Sequence, residues 1–144
     1  VIATPRTTRP DILLVDDNEQ NLELLEAFLE DVGCTLRRAA DGLEALRLIG
    51  EKVPDLILLD VMMPRMSGFQ LCRKLKTDPA TKHVPIVMVT ALGEVSDVER
   101  AHDVGADDYL VKPVNKPDLI DRVHKWLGGS GQSEGGVGGG PTTG

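Results

Sequence analysis

A chain of 144 residues with 41% hydrophobic content can bury one core and is too short for two. Aromatic residues are only 3% and the formal net charge is −7, which leaves few stacking surfaces for bases and disfavours direct binding of nucleic acid. Cys34 and Cys72 are too few and too far apart for a zinc site or a disulfide framework. Each sits among apolar residues and reads as a buried, reduced thiol. With no membrane-length apolar run and no signal-peptide pattern, a cytoplasmic protein with no membrane partner is expected.

Residues 1–10 hold three Thr, two Arg and two Pro and are expected as a loose arm before a domain spanning residues 11–128. Asp11 to Val15 (DILLV) reads as a strand, followed at once by Asp16 and Asp17. Asn18 then caps a helix whose inner face is Leu22, Leu25, Leu29 and Val32, and Gly33 ends it. Cys34 to Ala39 is a weaker strand, partly exposed because it carries Arg37 and Arg38. Asp41 with Glu44 resembles a capping box for a helix turned inward through Leu43, Leu46 and Ile49, closed by Pro54.

Leu56 to Leu59 is continuously apolar, as a strand buried on both faces requires. It stops at Asp60, and Pro64 and Gly68 break the strand geometry beyond it. Ser67 and Gln70 form a second capping box, opening a helix that buries Leu71 and Leu75 and ends at Asp78 and Pro79. Val84 to Thr90 (VPIVMVT) is the fourth strand, again finishing on a polar residue. Gly93 to Val104 is the faintest helix, with Val98, Ala101 and Val104 inward and Gly105 as its stop. Asp107 to Val111 is the fifth strand and runs into Lys112 and Pro113. Asn115 caps a last helix with Leu119, Ile120, Val123 and Leu127 inward. Residues 129–144 turn abruptly to Gly, Ser and Thr and are expected as a flexible tail or linker.

Such alternation implies an α/β fold, a doubly wound five-stranded parallel sheet of order 2-1-3-4-5 with five helices, of the flavodoxin-like kind. Ligands in these sheets bind at the carboxyl ends of the strands, at the switch point between the first and third. Asp16, Asp17, Asp60, Thr90 and Lys112 all fall at that edge. Any one of them alone would pass for an ordinary strand-end residue; together they suggest a site. Two like charges ~4 Å apart repel by roughly 4 kcal/mol at an effective dielectric of ~20, so clustered carboxylates need a counter-charge. Lys112 supplies one, and a hard divalent cation such as Mg²⁺ would supply more. A cation, an ammonium and a hydroxyl around a carboxylate nucleophile suit the receipt of a phosphoryl group, and Asp60, central in the sheet, is the best nucleophile candidate.

The motifs LLVDDN, LILLDVMMPRMSG, VPIVMVTA and GADDYLVKP resemble those of response-regulator receiver domains of two-component signalling, over about Asp11 to Leu127. The resemblance implies that Asp60 takes a phosphoryl group from a histidine kinase or histidine phosphotransfer protein. It also implies that Asp17, Asp60 and the backbone carbonyl of Met62 bind Mg²⁺ directly while Asp16 acts through water. Lys112 and Thr90 would contact the phosphoryl oxygens, and Thr90 and Tyr109 would act as a switch reshaping the face formed by the fourth helix, fifth strand and fifth helix, where a downstream protein or a second copy would dock. Lys112-Pro113 resembles a bond that is cis in this family. Met62 and Leu92, which flank the site in receivers, cannot orient an attacking water by charge-assisted hydrogen bonding, so slow self-dephosphorylation is expected.

On this reading the chain is not an enzyme beyond its own phosphorylation and dephosphorylation. An alternative is a receiver fragment of a larger response regulator or hybrid kinase. A Mg²⁺-dependent phosphohydrolase with an aspartyl-phosphate intermediate would place nucleophile and acid as Asp-x-Asp after one strand, whereas Asp16 and Asp17 are adjacent and Asp60 follows a different strand. His83, His102 and His124 are scattered and read as surface or interface residues, and Trp126 as the edge of the core.

Overall fold

The computed structural model describes residues 9–128. Residues 1–8 of the expected arm and the whole expected tail, 129–144, lie outside the described residues. The elements are β1 (Asp11–Val15), α1 (Glu19–Leu29), β2 (Thr35–Ala39), α2 (Gly42–Glu51), β3 (Leu56–Leu59), α3 (Gly68–Lys76), β4 (Ile86–Thr90), α4 (Val95–Asp103), β5 (Asp108–Val111) and α5 (Lys116–Trp126). Every strand pairing is parallel, in the order β2-β1-β3-β4-β5. The alternation of strands and helices read from the sequence is therefore the fold.

Successive strand side chains point to opposite faces, so β1, β3 and β4 feed two cores. Leu13, Val15, Ile57, Leu59, Ile86 and Met88 pack beneath α2, α3 and α4. Ile12, Leu14, Leu56, Leu58, Val87 and Val89 pack against α1 and α5, which contribute Leu22, Leu25, Leu29, Leu119 and Val123. Each fully buried aliphatic side chain contributes about 1.5–3 kcal/mol of transfer free energy. Cys72 and Cys34 fall in the two different cores and are free, buried thiols.

Helix starts follow the capping chemistry. The side chains of Asn18, Asp41, Ser67 and Asn115 accept from the backbone N–H groups of Asn21, Glu44, Gln70 and Asp118. Ser67 and Gln70 close a full capping box. At α2 the reciprocal bond goes instead to Ala40, whose N–H donates to Glu44 Oε1 at 2.7 Å. Gly33 and Gly105 adopt φ of +82° and +94°, the left-handed backbone that ends a helix most cheaply with glycine.

Some sequence expectations shift. The fourth strand starts at Ile86 because Pro85 has no N–H to give to the ladder. The second and fifth start at Thr35 and Asp108, one residue later than expected. Leu43 is 60% exposed. The buried phase of α2 is Gly42, Ala45 and Ile49, where the missing side chain of Gly42 admits Met66 so closely that its Sδ would stand 2.7 Å from a Cβ at residue 42. Val98 is likewise 43% exposed, because α4 buries only Ala101 and Val98 borders a cleft toward Tyr109.

The loop after β3 is held tightly. Gly68 N–H donates to Val61 O at 2.9 Å, and a Cβ at Gly68 would stand 2.2 Å from the backbone oxygen of Asp60. Gly68→Ala is therefore expected to cost roughly 3 kcal/mol in urea unfolding, because rigid backbone must shift. Gly50→Ala, within α2 and with nothing within 4 Å of the added Cβ, is expected to leave stability unchanged or raise it by up to ~1 kcal/mol. Equal effects at the two positions would contradict this packing.

Candidate functional site

Strand register brings the site together. Val15 pairs with Leu59 and Leu59 with Met88, so β1 and β3 end in line and Asp16 and Asp60 leave the sheet side by side. Asp60 N–H donates to Val15 O at 2.9 Å, and Asp16 N–H to Ala39 O at 3.1 Å, extending the ladder by one bond beyond each strand. Asp16 Oδ1 also accepts from Asn18 N–H at 2.9 Å, which fixes its side chain to the residue that caps α1. Asp16 and Asp60 are buried at 2% and 6% exposure, while Asp17 is exposed. Ligand oxygens of Asp16, Asp17 and Asp60 all lie within 4.8 Å of one another.

Lys112 arrives from the end of β5, 96 residues from Asp16. Its backbone N–H donates to Thr90 O at 2.8 Å, and the Lys112-Pro113 bond is cis. Its Nζ lies 2.7 Å from Asp16 Oδ2 and 3.7 Å from Asp60 Oδ1, a cation between two buried anions. One ammonium does not balance three carboxylates. The Asp60 carboxyl is pushed above its usual range, first by burial and then by the Asp16 charge, with Lys112, the Met62 backbone and the Thr90 hydroxyl pulling the other way. The charge imbalance is that of three carboxylates against one ammonium; burial is the larger cause of the shift. Its donors are all hard oxygens and Asp17 leaves one side open to solvent, which is the donor set a Mg²⁺ ion keeping part of its water shell would take.

Thr90 is fully buried at the end of β4, and its Oγ1 accepts from Leu92 N–H at 3.3 Å. Tyr109 is half-buried on β5, and its hydroxyl donates to Leu92 O at 2.6 Å. Leu92 therefore links the two residues expected to act as a switch. The Met62 side chain is 56% exposed beside the cluster. Asp107 and Asp108 lie away from it: Asp107 accepts from Ile86 N–H and pairs with Lys76, and Asp108 accepts from Trp126 Nε1–H at 2.8 Å.

Two features escape sequence reasoning. One is the close approach of Gly68 to the Asp60 backbone, which in the sequence reads only as a strand breaker. The other is an apolar cleft of about 260 Å³ beside Lys112, lined by Asn21, Leu24, Leu25, Pro113 and Val114. The signal for the cleft is Leu24, an apolar residue out of phase with Leu22, Leu25 and Leu29 on the same helix and 45% exposed.

Comparison with known proteins identifies the family. Residues 12–124 match the family model of the response regulator receiver domain. The response regulator PleD of Caulobacter vibrioides is 48% identical over 112 residues, covering 78% of this chain and 25% of PleD. The polar-differentiation response regulator DivK of Brucella anthropi is 38% identical over 117 residues, covering 81% of this chain and 95% of DivK. The chemotaxis protein CheY4 of Vibrio cholerae has the same fold at a TM-score of 0.76 and 32% identity, over 81% of this chain and 97% of that one. The chain thus spans a quarter of one relative and nearly all of another. On these grounds it belongs to the response-regulator receiver domain family of two-component signalling.

Proposed function

We propose that the chain is the phosphoacceptor of a two-component or phosphorelay system, with Asp60 as the modified residue. The observation that carries this reading is Lys112 Nζ set between Asp16 and Asp60 at one sheet edge. A carboxylate oxygen of Asp60 attacks the phosphorus of a phosphohistidine on a histidine kinase or histidine phosphotransfer protein. The P–N bond breaks, and the imidazole leaves with the electron pair and takes up a proton. Lys112, already between the carboxylates, neutralises charge on the arriving phosphoryl oxygens, and the Thr90 hydroxyl donates to one of them.

Asp17, Asp60 and the Met62 carbonyl would hold Mg²⁺, with Asp16 reaching it through water. Bound there, the ion supplies further positive charge against the phosphoryl oxygens. The donor protein has an apolar seat next to the site in the cleft of Leu24, Pro113 and Val114. Movement of Thr90 toward a phosphoryl group would disturb its bond to Leu92 N–H, and through Leu92 O the hold on Tyr109. This supports a switch that reshapes the α4/β5/α5 face, whose exposed Val95, Val98 and Val111 offer apolar contact to a downstream protein or a second copy. The role is signalling in the cytoplasm rather than turnover of a metabolite, and the chain serves either alone or as the receiver segment of a longer regulator. Among the described residues no helix is long and apolar enough to cross a membrane.

Acetyl phosphate with Mg²⁺ is expected to add one phosphoryl group to the wild type and none to Asp60→Ala, read by intact-protein mass spectrometry. Modification that survives Asp60→Ala with the fold intact would refute the assignment. Mg²⁺ at a hundredfold excess over its Kd is expected to stabilise the wild type by about 2.7 kcal/mol, and this gain should be lost in Asp17→Asn. In chelator, Asp60→Asn is expected to melt above the wild type, because one of three crowded like charges is gone. A lower melting temperature would contradict the charge imbalance. Phospho-Asp60 is expected to decay slowly, and faster in Met62→Asn, where an amide can orient water; a fast wild type unchanged by the substitution would overturn the point.

A further inference from the structure

We propose that the outer face of α3 is a docking groove for an acidic peptide segment of a partner protein, separate from the phosphoacceptor edge and independent of Asp60. The groove, of about 400 Å³, is lined by Arg65, Met66, Gln70, Arg73, Lys74 and Thr77. Gln70, Arg73, Lys74 and Thr77 recur at helical spacing along α3 and its C-cap, so they form one stripe, and Arg65 and Met66 close its upper end from the preceding loop.

The chain as a whole carries −7. Several cations of the described residues are engaged by carboxylates of the chain: Arg37 by Asp11, Arg38 by Glu19 and Glu26, Arg47 by Glu44 and Glu51, Lys76 by Asp107, Arg122 and Lys125 by Asp108, and at the rim of the groove Arg65 by Asp41. Arg73 and Lys74 are exposed, and no carboxylate of the described residues pairs with either. Among the described helices α3 alone contains no Asp or Glu. The helices that share its face of the sheet, α2 and α4, both carry acidic residues, so the basic stretch is confined to α3.

A helix C-terminus favours cations, which accounts in part for Arg73 and Lys74. It does not account for Arg65, which precedes α3 and sits at φ +67°, a backbone conformation that residues other than glycine rarely adopt. The groove is also built rather than loose. Arg65 Nη2 lies 3.2 Å from Asp41 Oδ2, and Asp41 Oδ1 in turn caps α2 through Glu44 N–H at 2.8 Å. Met66 is wedged over Gly42 and offers a polarizable apolar floor. Three cations around one methionine fit a short segment with a few carboxylates and one apolar side chain. A long polyanion such as nucleic acid would meet the acidic remainder of the surface beyond so small a patch.

The probe is a fluorescein-labelled oligo-glutamate peptide with one central Leu, titrated into the full chain and read by fluorescence anisotropy. Wild type is expected to bind saturably at low salt and more weakly as salt rises. Arg73→Glu/Lys74→Glu is expected to weaken binding about tenfold while lowering the melting temperature by only a few degrees, since neither side chain is paired and the loss is confined to the favourable charge at the helix C-terminus. Lys52→Glu/Lys116→Glu, the same charge change on other elements, should bind like the wild type, and Leu→Gly in the peptide should weaken binding. No binding to the wild type, or equal losses in the two double variants, would overturn the proposal. So would an oligonucleotide of matched charge binding as tightly, or a concentration-dependent self-association that Arg73→Glu/Lys74→Glu abolishes and the peptide does not compete for.

Discussion

The fold and the site meet at one contact, the Lys112 ammonium against the buried carboxylates of Asp16 and Asp60. Removing the lysine would leave like charges side by side at low exposure, an arrangement that costs several kcal/mol unless protons or a metal ion intervene. With the lysine present, the cluster still holds more negative than positive charge, and the Asp16 charge adds to burial in raising the proton affinity of Asp60. On the function proposed, that surplus would draw a cation to the edge, and the cation would in turn suit it to a phosphoryl group.

The doubly wound sheet positions these charges without any long loop. Parallel pairing aligns the carboxyl ends of β1, β3, β4 and β5 at one edge, so residues that follow strands by one position converge whatever their distance along the chain. The apolar interior on both faces fixes the strand register, because a slip of one residue would turn each strand's core side chains to the wrong face. Gly68, with its backbone against the Asp60 carbonyl, adds the remaining constraint, folding the β3–α3 loop back beneath Asp60.

Most of this is legible in the sequence because the signals are local or periodic. Continuous apolar runs mark β1, β3 and β4, capping residues mark the starts of α1, α3 and α5, and the polar residues ending the strands form the cluster once the topology is inferred. What fails depends on helix phase. Spacing alone turns Leu43 and Val98 inward, yet the buried face of α2 runs through Gly42, Ala45 and Ile49 and that of α4 through Ala101, and at Gly42 Met66 approaches too closely for a larger side chain. The Leu92 link between Thr90 and Tyr109 is illegible for a different reason. It runs through the backbone N–H and O of Leu92, which nearly every residue type provides.

The most direct test is a crystal structure of the chain grown with Mg²⁺ and beryllofluoride. The account requires the metal ion against Asp17, Asp60 and the Met62 carbonyl, and the fluoride group on Asp60 in contact with both Lys112 and Thr90. A metal bound elsewhere, or a beryllofluoride group on another side chain while Lys112 keeps its place between Asp16 and Asp60, would contradict it.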